Sequence, residues 1–131
     1  MKINHVAIAV ENVEDAAKAY QDALDIKSVE FETVESEGVK VAILHLENAN
    51  IELMEPTNDS SPIRKFLERR GSGLHHIALE VDNIYNAIEY LEDNNIKVIY
   101  NTPQKGADNK LITFIHPRYT PGVLIELCQL A

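Results

Sequence analysis

The sequence predicts an α+β fold built from two copies of one βαβββ unit, and three observations carry that prediction. The chain repeats itself: His5-Val-Ala-Ile-Ala-Val10-Glu-Asn-Val opens one half, and His76-Ile-Ala-Leu-Glu-Val81-Asp-Asn-Ile opens the other. Each half closes on the same tripeptide, Ile51-Glu52-Leu53 and Ile125-Glu126-Leu127. Between those marks the hydrophobic periodicity changes in the same order in both halves, from alternation to helical spacing and back. The match continues through Ala7 and Ala78, Asn12 and Asn83, Ala16 and Ala87, and Asp22 and Asp93. After a one-residue deletion it resumes with Ile26-Lys27 and Ile96-Lys97. A period of half the chain is too long for a stacked array of short repeats, so two supersecondary units are expected to make one domain over 1–131. The units cover about 1–56 and 73–131.

Each element has its own signal. Residues 3–10 and 74–81 alternate as strands, while Val13, Ala16, Ala17, Tyr20 and Leu24, like Ile84, Ala87, Ile88 and Leu91, recur at helical spacing. Three further strands are expected in the first unit, at 29–34, 39–46 and 51–54, separated by turns at Ser36-Glu-Gly38 and Asn48-Ala-Asn50. Their counterparts are expected near 98–101, 111–115 and 123–128, punctuated by Pro103, Gly106, Pro117, Pro121 and Gly122. Between the units, residues 61–71 read as a linking helix. Ser61 is the cap, Pro62 occupies the first turn and Gly71 is the stop.

Composition narrows the function. A chain of 131 residues with 45% hydrophobic content is long enough to bury a core of its own. Its formal net charge of −9 opposes non-specific association with nucleic acid or anionic membrane, so neither is expected as a partner. Small molecules and a second subunit remain. The single cysteine, Cys128, excludes an intrachain disulfide and fits a cytoplasmic address, and no apolar run approaches membrane-spanning length.

Strand alternation decides where the polar residues face. His76, Ala78 and Glu80 point away from the apolar series His75, Ile77, Leu79 and Val81, because successive side chains alternate. In the first unit His5, Ala7 and Ala9 lie opposite Val6, Ile8 and Val10. Glu52 and Glu126 likewise oppose their flanking Ile and Leu. Two histidines and two glutamates in a symmetric arrangement, with small alanines beside them, form a ligand set for a divalent metal. One strand histidine alone is more often a hydrogen-bonded side chain, but four such residues in register across a duplication are not explained that way. His75 reads as a structural residue, His45 as a surface residue and Cys128 as a small packing residue. His116, before Pro117, is open to two roles, lining a pocket or satisfying a turn.

At these residues the chain resembles the vicinal oxygen chelate superfamily and, within it, the methylmalonyl-CoA epimerase family. The resemblance spans nearly the whole chain. It is carried by His5-Val-Ala-Ile-Ala-Val10, Ile51-Glu-Leu-Met-Glu-Pro56, Ser61-Pro-Ile-Arg-Lys-Phe-Leu67, Gly73-Leu-His-His-Ile-Ala78 with Val81-Asp-Asn-Ile84, Phe114-Ile-His-Pro117 and Gly122-Val-Leu-Ile-Glu-Leu127. It implies that the paired units form an open barrel-like sheet around a metal held by His5, Glu52, His76 and Glu126. Cobalt or manganese is the foremost expectation, and nickel or zinc also suits two histidines and two carboxylates. An acyl-CoA substrate and a homodimer are implied as well.

Epimerising such a thioester removes the proton from the carbon between thioester and carboxylate and returns it to the opposite face. A divalent metal stabilises the negative charge that develops, and general acid-base help is worth roughly 10²–10⁴-fold. Glu126 is the expected base and Glu52 the expected second acid/base. Some family members carry a glutamate three residues after the glycine matching Gly38, where this chain has Val41, and some carry glutamine in place of Glu52. Arg64, Lys65, Arg69 and Arg70, or Lys105 and Lys110, are available for the phosphates of coenzyme A, although a cationic helix face is commonly just solvated. The rival readings are a glyoxalase I-type lactoylglutathione lyase, which shares the ligand set, and a metal-free binding module, which the intact ligand set opposes.

Overall fold

The computed structural model describes all 131 residues, Met1–Ala131. Its contacts divide them into two compact units, His5–His75 and Met1–Asn4 with His76–Ala131, called here the first and second unit.

The first unit runs β1 (Lys2–Ala9, of which His5–Ala9 fall in this unit), α1 (Val13–Leu24), β2 (Val29–Val34), β3 (Val39–His45), β4 (Asn50–Pro56) and α2 (Pro62–Arg70). Its strands lie in the order β2-β3-β4-β1, with β1 parallel to β4 and the other neighbours antiparallel. Helix α1 begins where Asn12 accepts a hydrogen bond from Asp15 N at 2.9 Å, satisfying one of the amides that a helix start leaves open. Its apolar stripe, Val13, Ala17 and Tyr20, packs on Ile8, Ala42, Leu44, Ile51 and Leu53 to form the core of the unit. Helix α2 is capped as its sequence predicts: Ser61 Oγ accepts from Ile63 N at 3.2 Å, and Gly71 ends the helix at φ +73°. That left-handed value suits a residue without Cβ.

The second unit contains β5 (Gly73–Glu80, from His76 onward), α3 (Ile84–Asp93), β6 (Gln104–Lys105), β7 (Leu111–Phe114) and β8 (Leu124–Gln129), ordered β5-β8-β7-β6. β5 is parallel to β8, as β1 is to β4. The core forms as in the first unit, with Ile84, Ala87, Ile88 and Leu91 against Leu79, Ile125 and Leu127. The cap repeats too: Asn83 accepts from Asn86 N at 3.0 Å.

One expected strand is corrected. Residues 98–101 do not form a ladder strand, and the strand before β7 is only Gln104–Lys105. Val98 makes a single bridge to Ile115, and Ile99 N donates to Phe114 O at 2.7 Å. At the next position a side chain substitutes for the ladder. Buried Thr113 donates from Oγ1 to Tyr100 O at 2.8 Å and accepts from Tyr100 N at 3.1 Å. A side-chain hydroxyl that serves both backbone groups satisfies them while letting the chain leave the sheet. Pro103 follows and lacks the amide that a continued ladder requires.

Candidate functional site

The parallel pair in each unit positions one histidine and one glutamate by the same rule. In the first unit His5 is registered against Asn50, so Glu52 lies two residues farther along β4 and on the same face. In the second unit His76 is registered against Leu124, and Glu126 lies two residues farther along β8. Diagonal neighbours of this kind are within reach of long side chains. The result is His5 Nδ1 at 3.2 Å from Glu52 Oε2, and His76 Nε2 at 3.3 Å from Glu126 Oε1. The residue directly opposite each glutamate on the histidine-bearing strand is an alanine, Ala7 or Ala78, and both are fully buried. A larger residue there would compete for the space that each pair occupies.

All four side chains are buried, with relative exposures of His5 2%, Glu52 1%, His76 2% and Glu126 3%. Burying a carboxylate is costly unless a partner compensates, and a pure packing role would be better served by an apolar residue. Two such pairs at equivalent places therefore call for a function. Donor atoms 3.2–3.3 Å apart also match the ligand-to-ligand spacing of about 3.0–3.4 Å that bonds of about 2.0–2.2 Å to one ion produce. Imidazole nitrogen with carboxylate oxygen is a donor combination for a divalent transition metal. The residues present thus fit a metal.

The surroundings of the two pairs differ. Glu52 is flanked on the neighbouring strand by Ile43, with Val41 beside Met54, and all are buried. Glu126 is flanked by Phe114, whose ring meets His76 edge-on at 5.4 Å, and Tyr100 in turn packs against Phe114 at 6.4 Å. Cys128 is buried with Ala78 and Ile112, in the packing role expected of it.

The remaining histidines have other partners. His75 stacks edge-on against Phe66 of α2 at 5.1 Å, His45 pairs with Glu30 at the surface, and His116 accepts from Arg118 N at 3.3 Å. Of its two open roles, His116 fulfils the turn. Among the cations considered for phosphates, Lys110 is buried, with its amine 3.0 Å from Asn4 Oδ1, and Arg64 pairs with Glu11 at 3.2 Å. Lys65, Arg69 and Arg70 stay exposed on α2.

Two residues of the site's support were missed at the sequence level. Glu55 Oε1 accepts from Val13 N at 2.8 Å, and Gln129 Oε1 accepts from Ile84 N at 2.8 Å. The signal was the repeat itself, continued three residues past each glutamate: Ile51-Glu-Leu-Met-Glu55 against Ile125-Glu-Leu-Cys-Gln129.

Comparison with known proteins places the chain in a family. Residues 4–114 match the Glyoxalase/Bleomycin resistance protein/Dioxygenase superfamily. The mitochondrial methylmalonyl-CoA epimerase of Dictyostelium discoideum is 41% identical over 127 residues, covering 96% of this chain and 76% of the relative. The crystal structure of methylmalonyl-CoA epimerase from Mycobacterium tuberculosis superposes with a TM-score of 0.95 at 36% identity, covering 99% of this chain and 88% of that one. A variant of the Streptomyces coelicolor enzyme in complex with 2-nitronate-propionyl-CoA gives a TM-score of 0.96 at 29% identity, covering 100% and 95%. With a fold shared along its whole length and identity at this level, the chain belongs to the glyoxalase/bleomycin resistance protein/dioxygenase superfamily and, within it, to the methylmalonyl-CoA epimerase family.

Proposed function

We propose that this protein interconverts the two C2 epimers of methylmalonyl-CoA in a metal-dependent reaction. The observation that carries the reading is the pair of buried, equivalently placed His–Glu couples, His5 with Glu52 and His76 with Glu126. Together these four residues hold one divalent ion, cobalt or manganese foremost. The ion supplies Lewis-acid stabilisation of the negative charge that develops on the substrate oxygens.

The chain's own groups move the proton. Glu126 accepts it from C2, leaving the electron pair delocalised into the thioester carbonyl as an enolate. Glu52, in its protonated form, returns a proton to C2 from the opposite side, and the reverse reaction exchanges the two roles. The apolar neighbours Ile43, Phe114, Ala7 and Ala78 keep water away from both carboxylates and strengthen every charge interaction there. The same reading has the two units working as one domain, in a cytoplasmic homodimer. Two-fold assemblies are the commonest for chains of this kind, and molar mass by light scattering tests the dimer. No helix is long and apolar enough to cross a membrane.

Solvent deuterium incorporation at C2 of methylmalonyl-CoA tests the proposal, using protein stripped of metal and then reconstituted with cobalt or manganese. Metal-dependent exchange with loss of stereochemical purity is the expected outcome. Lactoylglutathione formed from methylglyoxal and glutathione, without exchange, would move the activity to the glyoxalase I reaction. No turnover with any metal would leave a binding module.

A further inference from the structure

The structure assigns Glu55 and Gln129 a positioning role: each locks the register between the strand that carries the histidine and the strand that carries the glutamate. This rests on the proposed metal site. Within each unit the histidine and glutamate meet because two parallel strands hold one register, Ala7 against Glu52 and Ala78 against Glu126. A slip of one residue would turn the glutamate to the helix-packed face. Something must therefore fix the register at the end of the pair nearest the glutamate.

Two bonds do so, and both are duplicated. Val10 N donates to Met54 O at 2.9 Å, and Val81 N donates to Cys128 O at 2.8 Å, just beyond the two glutamates. The chain then turns through Glu11-Asn12 or Asp82-Asn83 into the helix, where the asparagine caps the amide three residues on. The first helical amide is left for an acceptor from elsewhere. Glu55 supplies it for Val13, and Gln129 supplies it for Ile84, both at 2.8 Å. Each acceptor sits three residues beyond the glutamate, and an odd step places it on the opposite face of the strand. The candidate ligand and the cap are thus two sides of one strand end. The cap ties that end to the helix that continues directly from the histidine's strand.

Glutamate in one unit and glutamine in the other share a carbonyl-type oxygen but not a charge. The required property is the hydrogen bond. The neighbouring strand agrees with each choice, since Lys40 is registered against Glu55 and Leu111 against Gln129.

The test is Co²⁺ affinity by calorimetric titration of chelator-treated protein, alongside thermal unfolding of the metal-free form, for Glu55→Gln, Glu55→Ala and Gln129→Ala. Loss of a partner bonded directly to a ligand weakens metal binding about 10–100-fold, and a shift at the lower end of that range, about tenfold, is expected for each alanine variant, which acts on the ligands through strand register. Glu55→Gln is expected to stay within about threefold of wild type, well below that 10–100-fold range, because it reproduces the bond found in the other unit. The two alanine sites lie in different units, so a folding failure at one leaves the other to decide. Alanine variants that melt lower yet bind Co²⁺ as tightly as wild type would reduce Glu55 and Gln129 to ordinary helix caps and overturn the assignment. Failure of the unsubstituted protein to bind metal would instead overturn the site on which the assignment rests.

Discussion

The two units agree at their parallel strand pairs and differ at their edges. Both place histidine and glutamate on one diagonal, with alanine opposite the glutamate and a side chain three residues on holding the helix start. At the edge, the first unit keeps a six-pair ladder from Val29–Leu44 to Val34–Val39. The second unit replaces it with a bridge at Val98, a threonine clasp at Tyr100 and a two-residue strand. Duplication has thus preserved the parts that set donor positions and relaxed the parts that only complete the sheet. The wall behind the glutamate also diverged, from aliphatic Ile43 to aromatic Phe114.

The largest effect expected comes from breaking the symmetry of the two carboxylates. Glu126→Gln keeps the shape and removes the base, so C2 deuterium exchange in metal-loaded protein should fall by roughly 10²–10⁴-fold. Glu52→Gln should cause a loss of epimerisation of comparable size. Full racemising activity in Glu52→Gln with metal bound would break the comparison and leave Glu126 to act with some other group.

A middle-sized effect tests the edge. Thr113→Val removes the hydroxyl that both donates to and accepts from the Tyr100 backbone, which should lower stability to urea unfolding by about 1–3 kcal/mol. The equivalent position on β3 is Ala42, where a regular ladder needs no such hydroxyl. A change below about 0.5 kcal/mol would place the valine variant among ordinary surface substitutions and deny the clasp its role.

The smallest effect concerns charge, and only the first unit has it. The Lys40 amine donates to Glu14, and that hydrogen bond raises its pKa above the usual 10.5; desolvation opposes the shift, and the charges of Glu14 and Glu55 add to it. A raised lysine pKa stabilises the fold below the unfolded value and loses that contribution as pH rises through the folded value. Lys40→Met should therefore melt slightly below wild type near pH 8, and the gap should close above pH 10.5. A gap that persisted there would point to lost packing of the lysine stem against Phe31, over whose ring the amine sits at 5.9 Å.

Most of this organisation is legible in the sequence because it rests on local rules. Alternation assigns Glu52 and Ala7 to a face, asparagines at 12 and 83 mark helix starts, and Ser61-Pro62 with Gly71 bounds α2. What escaped was non-local. Nothing in Tyr100-Asn-Thr-Pro103 tells a reader that a threonine thirteen residues later will serve its backbone. Periodicity likewise makes Lys110 an ordinary strand-flanking cation, while the fold buries its amine against Asn4. Glu55 and Gln129 lie between these cases. The repeat exposes them, but a cap is expected beside its helix, and these reach from 42 and 45 residues away.

The Asn4–Lys110 bond spans 106 residues, and Asn4 also donates to Glu80 at 3.1 Å, within a unit whose other members all lie at or beyond His76. On the ribosome, residues 1–4 emerge well before Glu80 and Lys110, the partners that Asn4 bonds. Closing a loop of that length costs more entropy than closing a short one, though the cost grows only logarithmically with length. Contacts so distant in sequence slow folding. The first unit can begin to assemble as soon as His75 is free, whereas the second must reach back across it to residues 1–4. Order of synthesis therefore separates two halves that their shared sequence would otherwise make equal.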